Sequence, residues 1–347
     1  MRQHTPAAHQ IDLRPLLELT QRVGIDPLLT QASSGNSSAK LAGVLWIKAS
    51  GRWMADAMRD DIFIPLDLKE IETECLRRDV DPAERYPSAS LETAMHATLP
   101  HNVVLHVHCV NTIAWAVRYD APIQLQRRLE GLPWRWIQYV ATGLPLSRRI
   151  ELALSTFPDT CVFVLGNHGL VVCGEDAATV EELLTEVQRR VAIPPRESHS
   201  ADYEALWEIS RDSAWDLPDD DEVHALGADK ISQEILAGGV LYPCQAIFSG
   251  ARMELFHPIP YRDPGDDWQS AYSNRPFLII AGRGVIVSRT IAPAELAMLS
   301  GLAQVVQRIN ASVPLRYLTD AEVAGIPSQV TYRYRELASS SQGDARR

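Results

Sequence analysis

The 347-residue sequence contains no run of about 20 apolar residues, the length a helix needs to cross a bilayer, so no membrane-spanning helix is expected. Residues 1–10 are polar and lack the apolar centre of a secretory signal. Dense Lys/Arg runs are also missing. With 33 basic against 44 acidic residues the net charge is -11, which argues against nucleic-acid or anionic-membrane partners. A small anionic ligand stays compatible, because a pocket needs only local donors. Cysteines are few and scattered (Cys75, Cys109, Cys161, Cys173, Cys244), and the odd count argues against a disulfide framework. Cys109, Cys161 and Cys173 lie in apolar runs and read as small core residues. A reducing cytoplasm is the expected location. No dinucleotide-binding glycine fingerprint occurs, so no dehydrogenase part is expected in this sequence.

What is present has ordinary globular composition, 46% apolar and 22% charged, over a length that suits two units. Periodicity predicts helices over residues 12–24, 67–78, 90–99, 111–118, 146–156 and 176–191. Ser90 is the expected N-cap of the third. Strands are expected at 44–47, 62–64 (closed by Pro65), 103–108, 137–140, 161–165 and 170–172. Residues 33–38, rich in serine, read as a loop. Helices and strands mix without the even alternation of a doubly wound sheet.

Pro194-Pro195 marks the expected boundary between a first domain, 1–195, and a C-terminal α/β unit, 196–347. The second unit is read as helical near 200–214, with an acidic solvated loop at 219–222 and strands near 245–249, 253–256 and 277–281. It contains a degenerate repeat: strand, glycine turn, strand and helix recur at 277–309 in the order seen at 161–191. Arg283 stands where His168 stands, so the second copy lacks that imidazole. The shared features are generic enough to arise by chance.

His106 and His108 are two apart on a strand, so both side chains leave one face and can chelate one ion at about 2.0–2.1 Å. Alone, the pair fits core or outer-sphere histidines slightly better. His168, in a turn flanked by Gly166 and Gly169, offers a third imidazole. Three histidines with an open fourth position is a catalytic rather than a structural zinc arrangement. Whether His168 meets the other two is not legible in the sequence, and a solvent-facing turn histidine fits as well. Glu92 sits at a helix start, where a carboxylate favours the dipole and also suits a general base beside a metal. His96, on the same helix face, reads as an outer-sphere or core residue. The Gly35-Asn36-Ser37-Ser38 and Ser50-Gly51 turns carry amide and hydroxyl donors of the kind that hold phosphate, and equally suit plain turns.

Taken in order, Gly35-Asn36-x-Ser38, Ser50-Gly51, Ser90-x-Glu92, His106-x-His108 and Asn167-His168-Gly169 resemble the class II aldolase/adducin family over roughly residues 12–192. Leu241-Tyr242-Pro243-Cys244 and the 277–309 repeat resemble the aldolase part of bifunctional rhamnulose-1-phosphate aldolase/dehydrogenase proteins. The resemblance implies a three-layer α/β/α fold with a mainly antiparallel central sheet. It implies zinc, or another divalent ion, on His106, His108 and His168, with Glu92 as catalytic acid/base. Asn36, Ser38, Ser50, Gly51 and Ser90 fall on its phosphate-holding positions. Two departures stand out: Leu91 replaces a second serine, and Lys48-Ala49 replaces Thr-Pro, so Lys48 is a candidate replacement for a lost phosphate donor.

The implied activity is retro-aldol cleavage of a ketose 1-phosphate or related sugar. An epimerase or dehydratase on the same fold, an adducin-like scaffold and a metal-binding regulator are the alternatives; retention of all three histidines favours an enzyme. A second acid is sought among Tyr139, Tyr332 and Tyr334. Family members form tetramers, so a homo-oligomer acting on a small sugar or sugar phosphate is expected.

Overall fold

Short Val, Leu and Ile runs supply most of the strands, and seven of them join in one sheet. The computed structural model describes residues 12–198, 200–249, 255, 256, 272 and 274–326. The strands are β1 (Asn36–Leu41), β2 (Val44–Lys48), β3 (Phe63–Asp67), β4 (Val103–Val107), β5 (Trp134–Ile137), β6 (Val162–Leu165) and β7 (Gly169–Gly174). Their order is β3-β2-β1-β4-β7-β6-β5, and all pairings are antiparallel except β5 with β6. Alternation along the strands gives the sheet two apolar faces. Leu105, Val107, Leu170 and Val172 pack under helices Arg14–Gly24 and Ala177–Val191. Val104, Phe163, Val171 and Cys173 pack under Thr93–Thr98 and Leu144–Thr156. This is the expected three-layer α/β/α arrangement.

A second sheet holds β8 (Trp215–Asp216), β9 (Leu255–Phe256), β10 (Phe277–Ile280) and β11 (Gly284–Ser288) in the order β8-β11-β10-β9. Its directions, antiparallel, antiparallel and parallel, match those of β4-β7-β6-β5. The repeat read from residues 277–309 is thus one part of a four-strand topological copy. Asn167 and Gly282 occupy the same left-handed turn position, with φ of 51° and 75°. Helix Val110–Ala116 ties the two sheets together: Val110, Ile113 and Ala114 share a core with Leu226, Leu241, Leu299 and Val306.

Several expectations are corrected. Residues 36–38 belong to β1, whose buried serines hide the apolar signal of a strand paired on both sides. Pro65 does not close its strand; β3 runs through it, because an edge strand tolerates a missing N–H. The stretch 67–78 is split into Leu68–Glu70, a π turn at Ile71–Cys75 and a 3₁₀ turn at Leu76–Arg78. The helix expected from Ser90 begins at Thr93, with Glu92 in the capping position. The strand expected at 137–140 lies at Trp134–Ile137 instead, and residues 245–249 are helical, within Pro243–Ser249. Helix Ala121–Arg128, opened by Pro122, was not anticipated. Near 253–256 only Leu255–Phe256 falls among the described residues.

Candidate metal centre

The two central strands and one turn bring the three histidines together. β1 and β7 flank β4, with Asn36 and Val171 opposite His106. Gly35 and Gly169 permit that approach. A Cβ on Gly35 (φ +70) would lie 2.7 Å from the His106 carbonyl, and one on Gly169 2.5 Å from the Val107 carbonyl. The His106, His108 and His168 rings are buried, with centroids 4.8 to 5.1 Å apart. The Nε2 atoms of His106 and His108 are 3.1 Å apart. Ligands at about 2.0–2.1 Å from one tetrahedral ion lie roughly 3.3 Å apart, so this spacing suits a shared metal. The donor set supports the same assignment. His106 Nδ1 lies 3.1 Å from the Leu170 carbonyl, which only accepts, so Nδ1 carries the proton and Nε2 presents its lone pair.

Glu92 faces this group. Its Oε2 is 3.3 Å from His106 Nε2, and its Oε1 is 3.5 Å from His168 Nε2. Asn36 Nδ2 donates to Oε2 at 2.8 Å, whereas Oε1 is buried without a hydrogen bond. A buried carboxylate oxygen left unpaired beside three imidazoles fits a divalent cation among them. Burial alone would raise the Glu92 carboxyl; His106, His168 and the Asn36 amide outweigh it and hold it below the usual carboxylate range. Burial also lowers His108, and lowers His168 to about 4, so both are neutral donors at pH 7.

The residues singled out for phosphate separate into two groups. Ser50 N donates to Ser88 O at 2.9 Å and Ala49 bridges Ala89, which sets Ser50-Gly51 beside the segment leading to Ser90. Asn36 Nδ2 reaches Ser90 Oγ at 3.0 Å. Ser38 points elsewhere, with Oγ 2.7 Å from His96 Nδ1. His96 Nε2 is 2.5 Å from Asn36 Oδ1, an acceptor, so the imidazole donates there and takes the Ser38 proton at Nδ1. Ser38, His96 and Asn36 thus form one chain ending on Glu92.

Lys48 is buried, and burial lowers its ammonium to about 7 against the opposing pull of Glu92. Its Nζ donates to the carbonyls of Ser33 (3.2 Å), Ala49 (3.4 Å) and Arg52 (2.6 Å). All three donors are therefore engaged, and Lys48 clamps the loops around the site rather than offering a free donor.

The C-terminal unit also reaches the site, through residues the sequence did not single out for it. Asn167 Nδ2 donates to Leu241 O (2.8 Å) and Arg316 O (2.7 Å), and Arg316 Nη1 returns a bond to Asn167 Oδ1. Cys244 Sγ lies 3.5 Å from His108 Nδ1. From the first unit, Gln31 Nε2 donates to His108 O at 3.4 Å. The only sequence signal for any of these was the resemblance of the segment around Cys244. Tyr139 lies against the Gly166 turn, under the Arg316 guanidinium, and burial raises its phenol to about 12. Tyr332 and Tyr334 lie outside the described residues.

Known proteins resemble this chain in sequence and in fold. A Bacillus subtilis (strain 168) protein described as an uncharacterized oxidoreductase, YuxG, is 29% identical over 181 residues, 45% of this chain. The chain spans about a quarter (26%) of that relative's length. Similar solved structures include the N-terminal class II aldolase domain of a conserved Thermoplasma acidophilum protein (22% identity, TM-score 0.43, 55% of this chain and 97% of that one). L-fuculose-1-phosphate aldolase from Thermus thermophilus is another (18% identity, TM-score 0.38, 57% and 100%). No helix among the described residues is long and apolar enough to cross a membrane. The sequence profile of the class II aldolase and adducin N-terminal domain matches residues 16–193, just over half the chain, and the protein belongs to that family.

Proposed function

We propose that the protein is a zinc-dependent class II aldolase, a lyase that cleaves a ketose 1-phosphate or related sugar by retro-aldol chemistry. The observation that carries this reading is the placement of Glu92: one carboxylate oxygen is fixed by Asn36 and lies 3.3 Å from His106 Nε2, and the other is buried without a hydrogen bond, 3.5 Å from His168 Nε2. A scaffold has no use for such an arrangement. Zinc or another divalent ion on His106, His108 and His168 would supply a Lewis acid for negative charge on the substrate oxygens. Glu92 moves the proton at the substrate carbon beside the carbonyl. Asn36 holds the carboxylate in place, and the Ser38–His96 chain holds Asn36. Ser50, Gly51 and Ser90 receive the phosphate through hydroxyl and backbone donors. Of the three candidate tyrosines, Tyr139 lies under the Arg316 guanidinium that bonds Asn167 beside His168, and it is our candidate for the proton donor to the leaving aldehyde oxygen. In this reading residues 1–195 are the catalytic domain and residues 196–347 a C-terminal α/β unit, from which Cys244 and Arg316 reach the site. A cytoplasmic homo-oligomer is part of the same reading.

The test is metal content by elemental analysis of wild type and His106→Ala, followed by a screen of ketose 1-phosphates for dihydroxyacetone phosphate release. Near-stoichiometric metal, lost in the variant, together with release from one substrate supports the aldolase. Absence of metal after reconstitution removes it in favour of the scaffold. Metal without aldol cleavage leaves the site and rejects the lyase.

A further inference from the structure

At the end of the β6–β7 hairpin remote from His168, two cysteines face one another. Val162 and Val172 are opposed in the β6–β7 ladder, so Cys161 and Cys173 form the next opposed pair. Cys173 N donates to Cys161 O at 2.9 Å, which continues that register. Both side chains lie on one face of the sheet, in the apolar cluster with Phe163 and Val171. Cys173 Sγ is 3.3 Å from the Cys161 carbonyl. Opposed residues of an antiparallel pair have Cα atoms about 4.5–5.5 Å apart. Disulfides need roughly 4.4–6.8 Å between Cα atoms, so the register places the pair within the Cα range of a bridge.

The two thiols are not equivalent. Cys161 is partly exposed; Cys173 is buried, as are Cys75, Cys109 and Cys244. Cys161 Sγ lies 3.3 Å from His101 Nε2. His101 Nδ1 is buried without a partner. With the imidazole proton on Nε2, His101 donates to the Cys161 sulfur. The Lys40 ammonium, anchored on Ala97 O at 3.1 Å and on Leu99 O, adds positive charge near Cys173. These are the surroundings that stabilise a thiolate. Contacts with Cys173 and His101 lower the Cys161 thiol to about 5, whereas Cys161 itself and burial raise that of Cys173.

The geometry points to Cys161 and Cys173 as a peroxide-sensitive thiol pair, in which His101 activates Cys161 and Cys173 resolves it to a reversible cross-strand disulfide. The oxidant is a hydroperoxide. The Cys161 thiolate attacks one peroxide oxygen; the S–O bond forms, the O–O bond breaks, and the departing oxygen takes a solvent proton. The Cys173 sulfur then attacks the Cys161 sulfenic acid. The S–S bond forms, the S–O bond breaks, and the Cys173 proton leaves with the hydroxyl as water. The sulfur pair loses two electrons and the peroxide gains them. Such a bond suits a reducing compartment, where protein disulfides are transient.

The test treats the full-length protein with near-stoichiometric hydrogen peroxide, blocks remaining thiols with N-ethylmaleimide and maps peptides without reduction. Expected is a Cys161–Cys173 cross-linked peptide that dithiothreitol removes, with Cys75, Cys109 and Cys244 recovered as thiols. Cys173→Ser is expected to trap a Cys161 sulfenic acid that dimedone labels. His101→Gln is expected to slow alkylation of Cys161 at pH 7 about 10-fold, by removing one of the two contacts that favour its thiolate. Should either variant fold poorly, the wild-type map decides alone. Recovery of Cys161 and Cys173 as free thiols, or a bridge between other cysteines, overturns the assignment.

Discussion

Arg316 and Asn167 are joined in both directions: Asn167 Nδ2 donates to the Arg316 carbonyl at 2.7 Å, and Arg316 Nη1 donates to Asn167 Oδ1 at 2.8 Å. Asn167 is left-handed, with φ 51°, and immediately precedes His168. The turn that presents the third imidazole is therefore held by a residue 149 positions later in the chain. Arg316→Ala releases the Asn167 amide oxygen and the Glu322 carboxylate. Bonds to a charged group are worth about 1.5–3 kcal/mol each. The expected result is a drop of that order in unfolding free energy and, because ligand-orienting partners are involved, roughly 10-fold weaker metal binding in chelator competition. Undiminished metal affinity would show that His168 is positioned without Arg316.

Cys244 makes the corresponding contact on His108, with Sγ 3.5 Å from Nδ1. Burial raises its thiol to about 12, so it acts as a neutral group. Cys244→Ala removes the partner of Nδ1 and is expected to weaken metal binding by about 10-fold, while Cys244→Ser, which keeps a donor and acceptor, recovers most of it. Equal affinities for the two variants would assign Cys244 to packing alone.

Glu92→Gln keeps the shape and the Asn36 contact but removes the base. Turnover of the substrate found by the ketose phosphate screen is expected to fall at least about 100-fold with metal content retained. Activity within a few-fold of wild type ends the assignment of Glu92 as the proton carrier.

How far the sequence revealed this site follows from the range of each contact. The His106-Val107-His108 alternation and the glycine-flanked His168 were legible because their spacing is local. The serines of β1 were not read as strand, since alternation between two polar-tolerant faces leaves no apolar signal. Residues 245–249 were read as strand because a short apolar run does not distinguish the two states. Asn167–Arg316 and His108–Cys244 join positions 149 and 136 residues apart, and no local pattern encodes such pairs. Lys48 was visible as an unusual residue. That its donors close on three carbonyls became visible only in the fold.

Gly35 tests how closely β1 must approach β4. Its φ is +70°, and an added Cβ would meet the His106 carbonyl at 2.7 Å. The left-handed conformation alone costs a non-glycine residue about 1–2 kcal/mol, and the clash with backbone adds to it. Gly35→Ala is expected to lower unfolding free energy by about 2–3 kcal/mol. A change below about 0.5 kcal/mol, the range of ordinary surface substitutions, would mean that the strand relaxes freely.

The buried histidines predict the direction of acid sensitivity. His96 is lowered to about 3, first by burial and further by His106 and Lys40 against the pull of Glu92; burial lowers His168 to about 4. In the unfolded chain both titrate near 6.5, so between that value and the folded ones the unfolded state binds more protons. Stability is then fully present above about 6.5 and is lost as pH falls toward the folded values, at about 1.4 kcal/mol per pH unit for each such histidine. Carboxylates such as Glu92 add to the loss only below about 4.5. Urea unfolding of chelator-treated protein is expected to weaken steadily from pH 6.5 to 4.5. His96→Gln should reduce that slope by about one proton, because an amide does not titrate. A slope unchanged by the substitution would mean that His96 is already protonated in the fold. Its Nδ1 would then have to donate to Ser38 rather than accept from it, breaking the polarity of the chain that ends on Glu92.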